Sequence, residues 1–114
     1  MKIKQALEKI KKNWAKYEHD IKGGHEAVWL AKSDIAGSYE VDEEWVGIKG
    51  DGSLVWAYAS GCSCWDGNYD AEVVKSIKVM KLNHKWLPEN WEEKIIKFAE
   101  TGKLQEFQSY NIYD

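Results

Sequence analysis

The chain has 114 residues, enough for one domain with a single core, and 44% of them are apolar with no run near the length of a membrane span. Its net charge of −3 is uneven: residues 1–22 carry seven Lys against three acids, and residues 23–114 carry nine Lys against sixteen acids. All sixteen basic residues are lysine, which removes the guanidinium fork used on guanine edges and phosphates, and the acidic body lacks the concentrated basic face of a nucleic-acid binder.

In chain order, Ile3, Leu7, Ile10, Trp14, Tyr17 and Ile21 recur at helical spacing, which predicts an amphipathic helix closed by Gly23-Gly24. Ala27–Ala31 reads as a short strand, and residues 32–44 as a polar loop. A hairpin follows, with strands at 45–49 and 53–60 around the turn G-D-G. In its second strand Leu54, Trp56 and Tyr58 share one face while Val55, Ala57 and Ala59 share the other. A further strand is expected at about 76–82. Pro88, Asn90 and Glu93 then open a second helix, with the apolar stripe Trp91, Ile95, Phe98 and Ala99 and a stop at Gly102. Leu104, Phe107 and Tyr110 give the tail apolar residues with which to dock. The expected fold is α+β, residues 1–114 as one domain, with a small antiparallel sheet of three to four strands covered by an N-terminal and a C-terminal helix.

The start M-K-I-K-Q-A-L-E lacks the apolar region of a signal peptide, so a cytoplasmic location is expected. A reducing compartment disfavours a disulfide between the two cysteines of S-G-C-S-C-W-D-G, which also lie too close in sequence to close without strain. Trp65 and Asp66 would raise a thiol pKa, which argues against a reactive thiolate. Two readings remain, a quiet turn with two small buried cysteines or a structural zinc clip. In the second, Cys62 and Cys64 project to one side of an extended segment, Asp66 continues that phase, and His84 is the distal ligand, with His25 as the runner-up. No catalytic motif brings a nucleophile, a base and an orienting group together, so the chain is not expected to be an enzyme.

Seven Trp and six Tyr exceed what a core this size needs, and contact surfaces favour such rings. The run Tyr39, Glu40, Asp42, Glu43, Glu44 and Trp45 interleaves acids with aromatics. It suits a basic, groove-bearing protein partner, such as a nucleic-acid-handling enzyme. The stretch Trp56–Gly67, a strand entering G-C-S-C-W-D-G, resembles small phage and mobile-element proteins with a Ser/Cys-rich turn. In size and composition the chain is similar in kind to phage-encoded anti-CRISPR proteins. That resemblance implies an inhibitor of a Cas nuclease or another host defence protein, working in the host cytosol with zinc as a structural clip. The alternatives are a Trp-rich carbohydrate- or ligand-binding module and a small thiol or zinc enzyme.

Overall fold

A computed structural model describes residues 1–34, 40–62, 67–74 and 91–106. Their elements are α1 (Ile3–Lys12), a 3-10 turn (Trp14–Lys16), β1 (Asp20–Lys22), β2 (His25–Asp34), β3 (Glu40–Ile48), β4 (Leu54–Cys62), β5 (Asp70–Val74), α2 (Trp91–Thr101) and β6 (Gln105–Glu106). The fold is α+β. Strands β1 to β5 follow one another across the sheet as an antiparallel meander, and β6 adds in parallel to β2. The expected class and the two helices hold, while the sheet has more strands than the three to four expected.

The first helix ends earlier than its periodicity suggested. Asn13 caps α1, with its backbone and side-chain N–H groups both donating to the Lys9 carbonyl. Gly23 and Gly24, read from sequence as a helix stop, have φ of 58° and 80°. Two successive residues at positive φ suit the tightest hairpin turns, because their twist matches that of the flanking strands. The glycines therefore join β1 to β2, with Lys22 opposite His25, and Ile21 lies on a strand at 64% exposure.

Residues 32–44, read as a loop, carry β2 out to Asp34 and start β3 at Glu40. Ser33 pairs with Glu44 and Asp34 with Glu43, so cross-strand pairing overrides the polar composition. The G-D-G hairpin forms where expected: Asp51 Oδ1 accepts the Ser53 N–H at 2.8 Å, and Lys49 N–H donates to the Ser53 carbonyl at 2.8 Å. These contacts set Ile48 opposite Leu54 and Trp45 opposite Ala57. The strand expected at 76–82 lies outside the described residues; among them, the strand that pairs with the edge of β4 away from β3 is β5.

The sheet has two apolar faces. One packs on the helices: Ile10 of α1 and Trp91, Ile95 and Phe98 of α2 meet Val28, Leu30, Val46, Ile48, Leu54 and Trp56. The stripe expected on α2 is the buried one, and the helix closes with the Gly102 N–H donating to the Phe98 carbonyl at 2.7 Å. The other face carries Ala27, Trp29, Val55 and Ala57, with Trp45 and Ala71 packed against them. The alternation read in β4 thus sorts its side chains between the two cores. A bulge at Trp29–Ala31 in the β2–β3 pairing lets both Leu30 and Ala31 join the helix-covered core.

The sheet curls around the second face. A Cβ built on Gly23 would stand 2.5 Å from the Ala71 Cβ, so the β1–β2 turn rests directly on β5. Small residues make this curl possible, since any side chain at position 23 would meet the backbone of the opposite edge.

Candidate functional site

Within the curl, three rings surround one ammonium. Lys22 Nζ lies 4.1 Å from the Trp45 ring centroid, 4.6 Å from Tyr69 and 5.9 Å from Trp29. Trp29 and Trp45 meet edge to face at 6.4 Å, and so do Trp45 and Tyr69. Aromatic faces carry negative potential, so rings set at right angles around a cation all attract it. The Lys22 side chain is only 10% exposed, and its ammonium also reaches Asp20 Oδ2 at 3.4 Å.

Each ring is anchored by its polar atom. Trp29 Nε1–H donates to the Asp20 carbonyl at 3.0 Å. Trp45 Nε1–H and the Tyr69 hydroxyl both donate to Glu43 Oε1, at 3.2 and 3.3 Å. Burial, helped by the neighbouring Glu43 carboxylate, pushes the Tyr69 pKa above the ordinary tyrosine value. The hydroxyl therefore stays protonated and donating well into alkaline solution. A second ammonium, Lys32 Nζ, lies 5.1 Å from the Trp45 ring centroid while pairing with Glu106 at 3.3 Å.

A cavity of about 210 Å³ opens beside this box and is lined by Tyr17, Asp20, Lys22, Trp29, Trp45 and Leu104 among others. The topology explains it. β1 covers the outer edge of β2 only at residues 25–27, and β6 resumes the pairing at Ala31. Along Val28–Leu30 no described strand pairs with that edge, and the cavity sits in the gap. Phe98 and Gly102 at the end of α2 close it from the helix side, and Glu18 adds a carboxylate. Its volume is below the roughly 300–1,000 Å³ of drug-sized sites, so it suits one side chain or one small ring.

The residues singled out from sequence are distributed differently. Glu43 and Trp45 turn into the curl and form part of the box. Glu44, one residue along, faces the opposite side and is 8% exposed. Glu40 and Asp42 lie on β3, and Cys62 ends β4 opposite Glu40; the side chains of these three, and all of Tyr39, Cys64, Asp66 and His84, lie outside the described residues. His25 is described, with Nδ1 3.4 Å from Lys49 Nζ. No group of three or more His, Cys, Asp or Glu among the described residues is arranged to hold a metal, and no described helix is long and apolar enough to cross a membrane.

The residues that sequence reasoning missed are Lys22, Trp29 and Tyr69. A signal for the first existed: Gly-Gly between alternating segments is a hairpin turn as readily as a helix stop. No family model, curated protein or solved structure matches the chain.

Proposed function

We propose that the chain is a non-enzymatic binding protein that inhibits a protein partner by receiving one of its basic side chains in the cleft between β1 and β6. The cleft itself carries this reading. It combines aromatic and aliphatic walls for an alkyl stem with the Glu18 and Asp20 carboxylates at its lining, and its floor includes a stretch of β2 edge that no described strand pairs. An extended segment laid along Val28–Leu30 would gain main-chain hydrogen bonds while its side chain enters the cavity. The acidic body would steer a basic partner and raise the association rate more than the final affinity.

The partner class is the one expected from sequence, a nucleic-acid-handling enzyme and in the first instance a Cas nuclease. The test is co-purification with such a nuclease and the loss of its DNA cleavage, repeated with Glu18→Lys at the cleft and Glu8→Lys on exposed α1 as the control. Inhibition should be lost with Glu18→Lys and kept with Glu8→Lys. No complex together with full cleavage would remove the nuclease as partner, and equal sensitivity to both substitutions would remove the cleft as the site. A sugar-binding module is the second reading, favoured by the same rings and carboxylates. It predicts saturable glycan binding that is insensitive to salt, whereas basic side-chain capture weakens as salt rises.

A further inference from the structure

The box and the cavity share Lys22, Trp29 and Trp45, so the rings that hold the Lys22 ammonium also border a space that opens to solvent. An ammonium has three N–H donors. Among the described residues those of Lys22 find one close carboxylate, Asp20 at 3.4 Å, and otherwise face ring surfaces. Ring faces attract positive charge but are weak substitutes for oxygen acceptors. An alkylated ammonium has the same charge, fewer or no donors to satisfy and a weaker hold on water, so it fits the same walls at lower desolvation cost. The surroundings reinforce the charge preference: Glu43 sits behind Trp45 and Tyr69, and Asp20 flanks the cation.

We propose that Trp29, Trp45 and Tyr69 form a receptor for an alkylated ammonium group, occupied in the free protein by Lys22 of the same chain and entered from the cavity. Lys22 then acts as an internal competitor. It keeps the aromatic walls apart and filled, and a ligand must displace it toward Asp20 and solvent. The proposal deepens the cleft reading, since it names the chemistry that the rings bordering the cleft accept. It differs from that reading in what it requires, because a partner's unmodified basic side chain could bind at the rim with Lys22 still in place.

The probe is choline, compared with 3,3-dimethyl-1-butanol, a neutral molecule of the same shape. The readout is the indole N–H resonances of Trp29 and Trp45 in wild-type protein and in Lys22→Met. Choline is expected to shift both resonances saturably, with an apparent affinity about tenfold higher in Lys22→Met because the resident cation is gone, and the neutral isostere is expected to leave them in place. Equal responses to choline and its isostere overturn the proposal, as does the absence of any saturable shift in the wild type. Equal choline affinity in wild type and a folded Lys22→Met overturns the competitor role. The wild-type comparison needs no variant, so it decides the ligand class even if Lys22→Met fails to fold. A failed choline titration with intact, Glu18-dependent partner inhibition would reject the receptor and keep the cleft reading.

Discussion

Gly47→Ala tests the packing that builds the box. Gly47 lies opposite Trp29 across the β2–β3 pair. A Cβ added there would stand 2.7 Å from Trp29 Cε3, 3.0 Å from Cζ3 and 3.1 Å from the Ala27 Cβ. The backbone of Gly47 has no positive φ, so the conformation itself accepts alanine, and two terms of opposite sign compete. Restricting the unfolded chain stabilises by about 0.4–1 kcal/mol. Overpacking a buried ring costs about 1–3 kcal/mol. Trp29 is 7% exposed and held by its hydrogen bond to Asp20, so it yields poorly, and the steric term dominates by about 1 kcal/mol. For a domain of this size that lowers the melting temperature by about 4 °C. The assay is thermal unfolding followed by circular dichroism, with near-ultraviolet spectra to detect a change in the Trp29–Trp45 pair. Gly50→Ala is the control: its nearest neighbour is Trp14 at 3.5 Å, ordinary contact, so it should be neutral or slightly stabilising. A Gly47→Ala variant that melts at or above wild type with an unchanged near-ultraviolet spectrum would refute the reasoning.

Leu30→Ala, at a fully buried position between the sheet and α2, should cost about 2–5 kcal/mol, read as a lower urea midpoint at unchanged slope; a loss under 1 kcal/mol would contradict the packing. Tyr69 supplies a pH prediction. Its folded-state pKa is raised by burial and Glu43, so its contribution is complete below the ordinary tyrosine value and is lost as pH rises through the higher folded value. Alkaline unfolding should therefore be less steep in Tyr69→Phe, and identical profiles would refute the raised pKa. The zinc clip expected at Cys62, Cys64, Asp66 and His84 predicts one zinc per chain by native mass spectrometry, lost together with thermal stability in Cys62→Ala and Cys64→Ala. A metal-free wild type would end that proposal.

Local chemistry alone determined several elements. The stripe of α2 and its stop at Gly102 follow from helical spacing and the left-handed preference of glycine. The turn at 50–52 follows from Asp-Gly, and the facing of Leu54 and Val55 follows from the period of a strand. What sequence left ambiguous were signals with two local meanings. Gly23-Gly24 ends a helix or turns a hairpin with equal ease, and Ile21 continues a stripe of either period. Only pairing with β2 decides between them. The charged run at 40–44 resembles a solvated loop until Glu43 finds Trp45 and Tyr69, and until Ser33 lies opposite Glu44. The box was the least legible of all. Its members come from β1, β2, β3 and the segment before β5, and nothing in their sequence spacing relates Lys22 to Tyr69. The curl of the sheet, closed where Gly23 rests on Ala71, brings them around one charge; that long-range closure is a property of the tertiary fold.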